Sequence, residues 1–261
     1  MNTRSTGTNH KVKIVIPLYR NRLDDDEYKS LSNNLHILNR YPILFLLPEG
    51  MTPPAVTAGY ETMRVSSEWL GAQNGIAGYN RMMMSRAFYT LFADCEYILI
   101  CQTDAWVFRD ELDEWCGKGF DYVGAPWPRR SIYDLFFVRM WLKIRKRIFG
   151  RSGRPLRQDG FDRVGNGGLS LRRVESHIRA CEHYADIISE YGNHIGNLYN
   201  EDFFWATVPA EFRYPTVDEA LRFSFDVHPA YCYRRTGSRL PFGCHGWSKK
   251  RYKRFWRRFI Q

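Results

Sequence analysis

An apolar run that ends abruptly in polar residues places the strongest constraint on how this chain can fold. Residues 96–102, EYILICQ, are typical of a strand buried on both faces. Residues 76–92 precede it with a dense apolar pattern and no proline, which predicts one mostly buried helix. The strand leads directly into Thr103 and Asp104. A carboxylate at such an exit either caps the next turn or belongs to a site, and position alone favours neither.

Strands and helices alternate along the first half of the chain. Further strands are predicted at 11–19, 42–48, 62–67 and 120–127, and further helices at 24–40 and 110–116. This order predicts an α/β fold with a mostly parallel central sheet flanked by helices. Ligands of such sheets bind beyond the carboxyl ends of the strands. The first candidates are therefore the polar residues at the strand exits: Tyr19, Arg20, Gln102, Thr103 and Asp104.

Three segments of the second half also stand out. GNGG at 165–168 indicates positive φ angles or a close approach of backbone to a ligand, although a tight hairpin turn explains it equally. NEDFFW at 200–205 places two acids before three aromatic residues, and LPFGCHGW at 240–247 holds a histidine among small residues.

The charge of the chain is concentrated in two segments. The formal net charge is +10, yet residues 139–157 hold eight Lys or Arg and residues 249–261 hold seven, with no acid in either segment. Without these fifteen positive charges, the rest of the chain has a formal net charge of −5. This distribution argues against a general nucleic-acid-binding surface, so nucleic acid is not expected as a partner.

The remaining features indicate one large domain, or one domain with an elaborate insertion, in a cytosolic protein. Residues 1–10 lack an apolar core segment and are expected to be a disordered lead rather than a signal peptide. No apolar run reaches 18 residues, so no bilayer span is expected. Six cysteines without a CxxC pair are expected to be reduced core residues.

Five motifs taken in order resemble a known family. QTDAWVF, DYVGAPW, GNGGLSLR, NEDFFW and LPFGCHGW are similar to a bacterial family of unknown function found among polysaccharide-biosynthesis genes. More broadly, they resemble nucleotide-sugar-dependent glycosyltransferases of the GT-A fold. The resemblance implies a GT-A-like domain over 11–248 with a basic helical insertion at 128–164, followed by a basic amphipathic helix at 249–261.

The resemblance implies a metal site. GT-A enzymes hold Mn²⁺ or Mg²⁺ with an Asp-x-Asp motif at the end of a central strand, whereas this chain reads Gln102-Thr103-Asp104 and keeps only the last carboxylate. A second ligand is then required, and the resemblance implies His245. Imidazole suits manganese better than magnesium, so Mn²⁺ is favoured. The alternative is a histidine that is hydrogen-bonded within a turn.

The resemblance also implies roles for the other motifs. Asp202 would be the base of an inverting transfer, with Glu201 holding a hydroxyl, although both acids also simply complement a helix N-terminus. Trp205 and Trp247 would contact the acceptor, although tryptophan is more often a core residue. The implied donor-binding residues are Tyr19, Arg20, Asn80, Arg81, Gln102, Thr103, Asn166, Gly167 and Gly168.

These features together predict a glycosyltransferase of cell-surface polysaccharide synthesis, of the O-antigen or capsule kind. It would move a sugar from a nucleotide-sugar donor to a glycan or lipid-linked glycan acceptor. The basic segments interleave apolar residues with Lys and Arg, as in helices that lie on anionic membranes, which predicts a cytoplasmic protein peripheral to the inner face of the cell membrane. The alternatives are a non-catalytic membrane or polyanion adaptor and a metal-dependent phosphotransferase. For the basic segments alone, a solvated lid or a nucleic-acid-binding tail is also open.

Overall fold

The computed structural model of the protein describes residues 10–129, 131–149 and 154–261. Residues 1–9, which make up most of the predicted disordered lead, lie outside the described residues, as do residues 130 and 150–153 of the predicted insertion.

The described residues form nine strands in two sheets. The strands are β1 (His10–Pro17), β2 (Ile43–Pro48), β3 (Glu61–Val65), β4 (Cys95–Cys101), β5 (Ala105–Val107), β6 (Tyr122–Val123), β7 (Leu169–Arg173), β8 (Ser224–Phe225) and β9 (Gly243–His245). The central sheet has the order β3-β2-β1-β4-β7-β6. Its first four strands are parallel, and β7 runs antiparallel to both of its neighbours. The predicted α/β fold with a mostly parallel sheet is confirmed.

Helices cover both faces of this sheet. The helices of the described residues are α1 (Asp25–Ile37), α2 (Gly75–Met83), α3 (Arg86–Thr90), α4 (Leu112–Gly117), α5 (Phe136–Phe149), α6 (Val174–His183), α7 (Ala185–Gly192), α8 (Glu201–Thr207), α9 (Val217–Phe223), α10 (Pro229–Arg235) and α11 (Lys250–Trp256), of which α5, α10 and α11 contribute no residue to the clusters on the two faces of the sheet. Successive side chains of β4 point to opposite faces of the sheet. Ile98 and Ile100 join the apolar cluster on one side, and Tyr97 and Leu99 join the cluster on the other. The strand is apolar throughout because both of its faces are covered.

A small second sheet joins the exit of β4 to the C-terminal part of the domain. Its order is β5-β9-β8, with β9 antiparallel to β5 and parallel to β8. Ala105 lies opposite His245 in this pairing. The polar residues that follow β4 are therefore held beside the histidine motif, although about 140 positions of sequence separate them.

Two sequence predictions of local structure are wrong in detail. The segment 76–92 forms two helices rather than one, because Ser85 has an extended backbone between α2 and α3. The carbonyl of Met83 at this break accepts hydrogen bonds from the Tyr89 hydroxyl and the Trp205 indole, so tertiary contacts replace the helical bonds. The strand expected at 120–127 is reduced to β6, and Pro126 forms only an isolated bridge to Val164.

The two basic segments have different environments. The predicted helical insertion contains α5, and the predicted C-terminal helix is α11. The apolar side of the C-terminal segment packs into the domain, because Tyr252, Trp256 and Ile260 are buried in one cluster with Phe225 and Cys244. This segment is therefore part of the fold rather than an appendage, and its apolar side is not exposed to a partner.

The six cysteines are free and buried, as predicted from their spacing. Among the described residues, no helix is long and apolar enough to cross a membrane.

Candidate active site

The exits of β4 and β9 meet in a cluster of three side chains. Oδ1 of Asp104 lies 3.0 Å from Nε2 of His245. Oε1 of Gln102 lies 3.2 Å from the same ring nitrogen. The backbone holds the cluster together, because the amide of Gly246 donates to the carbonyl of Asp104 at 3.0 Å. Two side-chain oxygens from the exit of β4 thus converge on one edge of the imidazole.

The charges of this cluster stabilise each other. Burial alone would favour the neutral ring of His245, but the Asp104 and Asp226 carboxylates raise its pKa to about 10. Burial opposes ionisation of Asp104 too, and the charge and hydrogen bond of His245 nevertheless lower the pKa of Asp104 to about 2. The Asp104 side chain is 29% exposed, so it can be reached by a ligand from solvent.

Asp226 is a fourth member of the cluster, and the sequence analysis missed it. Its Oδ1 lies 3.3 Å from Nδ1 of His245, on the other edge of the ring from Asp104. The side chain of Asp226 is 11% exposed, and Nζ of Lys249 lies 4.0 Å from its Oδ1. Asp226 directly follows β8, so the rule that selected Asp104 also applies to it. The signal is weak because β8 is only two residues long.

The glycine motif lies beneath these groups. Asn166 has a positive φ of 65°, and its Nδ2 lies 3.0 Å from Nδ1 of His245. A Cβ on Gly168 would lie 2.2 Å from Nε2 of His245, and a Cβ on Gly167 would lie 1.8 Å from Oε1 of Glu201. The loop approaches other groups closely, whereas the approach to a ligand that the sequence analysis expected stays a prediction. The groups that occupy the space above Gly167 and Gly168 are side chains of the protein itself.

Glu201 is part of a buried ion pair. Its Oε2 lies 3.0 Å from a guanidinium nitrogen of Arg172, and both side chains are almost fully buried. Burial raises the pKa of Glu201, and the charge of Arg172 opposes that rise. The backbone amide of Glu201 donates to Oδ1 of Asn80 at 3.2 Å. The expectation that Glu201 holds a substrate hydroxyl is therefore wrong, because its carboxylate is enclosed with Arg172. Asn80 is likewise buried, and it fixes the start of α8.

Asp202 has the properties of a proton acceptor. It is partly buried at the start of α8, where Oδ1 accepts the amide of Phe203 at 2.7 Å. Burial, followed by the negative charges of Glu201 and Asp226, raises the pKa of Asp202 to about 7. A carboxylate with this pKa exists in both protonation states near neutral pH, which is the condition for efficient general base catalysis.

A cleft opens at the ends of β1, β2 and β3. It has a volume of about 430 Å³, and Tyr19 and Arg20 line it together with Glu49, Ser67 and Gln73. Arg20 is held in place because it donates to Oε2 of Glu27 at 2.5 Å. Oε1 of Glu27 in turn accepts the Thr103 hydroxyl at 2.8 Å, which connects the cleft to the exit of β4.

Three predicted binding residues lie elsewhere. Arg81 is exposed on α2 and does not line the cleft. Trp205 is fully buried, stacks on Phe212 and donates to the Met83 carbonyl. Trp247 is 2% exposed and donates to the Ser30 hydroxyl at 2.7 Å. The predicted acceptor contacts of Trp205 and Trp247 are wrong, because neither ring has a free face for a sugar.

The chemistry of the cluster fits a divalent cation. Asp104, Gln102 and His245 offer a carboxylate, an amide oxygen and an imidazole, a set suited to Mn²⁺. A group of three or more His, Cys, Asp or Glu side chains arranged to hold a metal is not present within the described ranges. A cation here would therefore depend on the amide oxygen and on oxygens from its substrate.

The fold is that of the GT-A glycosyltransferases. The galactosyltransferase LgtC, in complex with donor and acceptor sugar analogs, aligns with a TM-score of 0.50 at 12% identity over 89% of this chain and 86% of that chain. An active-site mutant of LgtC aligns with the same TM-score at 15% identity, again over 89% of this chain and 86% of that chain. At such identities the similarity establishes the fold alone.

The chain belongs to the family described as a protein of unknown function (DUF5672), whose model matches residues 59–245. The matched region includes every residue of the cluster. Core-mannan synthase A from Aspergillus fumigatus, in a form with manganese and GDP, has a TM-score of 0.46 at 10% identity, over 78% of this chain and 72% of that chain. A search of curated proteins finds no significant match.

Proposed function

We propose that the protein is a metal-dependent glycosyltransferase that moves a sugar from a nucleotide-sugar donor to a glycan acceptor. The observation that carries the proposal is the convergence of Asp104 and Gln102 on Nε2 of His245 at the exit of the central strand. In an open α/β sheet this edge is where ligands bind. The cleft lined by Tyr19 and Arg20 is the place proposed for the nucleoside of the donor.

Asp104 and His245 are the proposed metal ligands, with Gln102 as a weaker third. Mn²⁺, when bound there, would supply a Lewis acid that neutralises charge on the leaving diphosphate. Asp226 holds the opposite edge of the imidazole and so directs Nε2 toward Asp104. The side-chain amide of Asn166 lies at the same edge of the imidazole and further restricts the orientation of the ring. Gly168 permits this placement, since any side chain there would displace the ring.

Asp202 is the proposed general base. Its pKa of about 7 lets it accept the proton of the attacking acceptor hydroxyl near neutral pH. A base that activates the acceptor on the face opposite the leaving diphosphate gives inversion at the anomeric carbon. The ion pair between Arg172 and Glu201 fixes the first turn of α8, and so it positions Asp202 without contacting the substrate.

Release of nucleotide from a panel of UDP-, GDP-, CMP- and dTDP-linked sugars tests the proposal. Turnover of one nucleotide class is expected with Mn²⁺ and should be lost on chelation. Asp104→Asn should lower the rate by at least about a hundredfold, whereas Asp186→Asn, at an exposed carboxylate of α7, should leave it unchanged. Equal rates in the two variants would overturn the assignment of Asp104. Retention of the anomeric configuration in the product would overturn the role of Asp202 as base.

The proposed acceptor is a glycan of cell-surface polysaccharide synthesis, and a lipid-linked glycan would place the enzyme at the cytoplasmic face of the cell membrane. Support for a membrane location comes from α5 and is independent of the catalytic assignment.

A further inference from the structure

Helix α5 exposes an apolar stripe that the rest of the domain does not cover. The stripe consists of Phe137, Met140, Trp141, Ile144 and Ile148, whose spacing of three and four residues places them on one side of the helix. Their exposed fractions range from 44% for Met140 to 80% for Phe137. Large contiguous apolar surfaces are rare on soluble proteins without a binding role. The stripe therefore requires a partner.

Basic residues border the stripe. Helix α5 carries five Lys or Arg and no acid along its 14 residues. Lys143 and Arg147 lie along one border, and Arg145 lies along the other, with its guanidinium 5.4 Å from the centre of the Trp141 ring. Lys146 is within 3.6 Å of Asp159, but both side chains are solvent-exposed enough to make that contact weak. The exposed surface of α5 is thus apolar along its centre and cationic at its edges.

One flank of α5 is less exposed than the stripe. Val138 and Leu142 are partly buried, whereas the members of the stripe are exposed. The turn before the helix is anchored by the Tyr133 ring against Phe161 at 4.5 Å and by an ion pair from Arg129 to Asp134 at 2.7 Å. These contacts tie the turn before α5 to the domain, and the stripe itself is exposed to solvent.

We propose that α5 binds an anionic phospholipid surface, with the apolar stripe inserted among the acyl chains and the bordering cations against the headgroups. A helix of this length, about 21 Å, lies in the interface rather than spanning the bilayer. Charge complementarity favours this occupant over a second copy of the chain. In a symmetric dimer through α5, five cations of one copy would oppose five of the other with no acid between them. The proposal does not depend on the proposed enzymatic activity.

Vesicle flotation of the full chain tests the proposal. The wild type should float with vesicles of equimolar phosphatidylcholine and phosphatidylglycerol, and much less with phosphatidylcholine alone. The double variant Trp141→Ser/Ile144→Ser should lower the vesicle partition coefficient by roughly tenfold or more. Ile187→Ser/Ile195→Ser is the control, since it removes two exposed apolar side chains outside α5, and it should change partition by less than about twofold.

The charge contribution is tested in the same assay. Lys143→Glu/Arg147→Glu should lower partition into anionic vesicles by roughly tenfold or more, whereas Lys250→Glu/Arg251→Glu, which changes the net charge equally on α11, should have a smaller effect. Equal effects of the two charge variants would overturn the assignment of binding to α5. Flotation of Trp141→Ser/Ile144→Ser to the same extent as the wild type would also overturn the assignment of binding to α5. So would a wild-type dimer in light scattering that Trp141→Ser/Ile144→Ser converts to a monomer, since the stripe would then bind a second copy.

Discussion

Asp226 and Asp104 lie on opposite edges of the His245 ring, and Asp226 reaches Nδ1 from 3.3 Å. Asp104 follows β4 of the central sheet, and Asp226 follows β8 of the small sheet. Only the tertiary fold brings the two carboxylates to one histidine. A carboxylate on one ring nitrogen fixes the tautomer and directs the other nitrogen outward. Asp226 is therefore a positioning residue for the Asp104–His245 pair.

Replacement of Asp226 should weaken metal binding and leave the fold intact. In Asp226→Asn the imidazole loses the carboxylate that orients it, and the affinity for Mn²⁺ should fall by about 10–100-fold. Calorimetric titration of the protein with Mn²⁺ measures this directly, with Asp186→Asn as the surface control. An unchanged affinity in Asp226→Asn would show that Asp226 does not orient His245.

Asp202 should limit turnover at low pH. Its pKa of about 7 means that activity rises with pH up to about 7 and then levels, because only the ionised carboxylate accepts the proton. Asp202→Asn should lower kcat by about 100-fold or more and remove this limb of the pH profile. An Asp202→Asn enzyme with the same acid limb would assign the limb to another group.

The same residue should oppose stability at high pH. The pKa of Asp202 is raised on folding, so the ionised form is disfavoured in the native state, and stability is lost as pH rises from about 4 to about 7. Asp202→Asn should therefore stabilise the protein by about 2–4 kcal/mol above pH 7 and have little effect below pH 4. Urea unfolding of both proteins without metal measures the difference, and a pH-independent difference would contradict the account.

Gly167 should not tolerate a side chain. A methyl group there would meet the Glu201 carboxylate, so Gly167→Ala should cost about 1–3 kcal/mol or more of unfolding free energy. Gly117→Ala is the matched control, since its Cβ would have no neighbour within 4 Å and its φ is not positive. The control should be neutral or slightly stabilising. Similar denaturant midpoints for the two variants would contradict the close approach of Glu201 to the loop.

Loss of a tryptophan should lower the stability of the protein much more in α11 than in α5. Trp256 on α11 is fully buried, so Trp256→Ala should cost about 3–5 kcal/mol. Trp141 on α5 is 57% exposed, so Trp141→Ala should change stability by less than about 1 kcal/mol. Thermal denaturation of both variants checks this. A small loss in Trp256→Ala would mean that the C-terminal segment is a separate tail after all.

The sequence predicts those features that depend on local pattern. The apolar runs identify the four parallel strands, and the polar residue after β4 identifies Asp104, because a strand exit in an open α/β sheet is a ligand edge. The histidine motif predicts a residue that acts together with Asp104, and His245 does lie against Asp104, although its role as a metal ligand stays a prediction. These features are encoded in runs of five or more residues.

Features that depend on tertiary contacts are not predictable in this way. Asp226 follows a strand of two residues, which has no periodicity to detect. Glu201 and Asp202 are adjacent in sequence, and only the position of Arg172 makes one of them buried and paired. Helices α5 and α11 both mix Lys and Arg with apolar residues. The burial of Trp256 against Phe225 distinguishes the packed helix α11 from the exposed helix α5.

The most direct test of the central claim is the thermal stability of the protein with UDP-, GDP-, CMP- and dTDP-linked sugars, each with and without Mn²⁺. A ligand that binds only the native state stabilises it by about 2.7 kcal/mol at a hundredfold excess over its Kd. The account predicts a rise in Tm with one nucleotide class that requires Mn²⁺ and disappears in Asp104→Asn. The same rise in Asp104→Asn, or no rise with any donor, would contradict a metal-dependent donor site at the exit of β4.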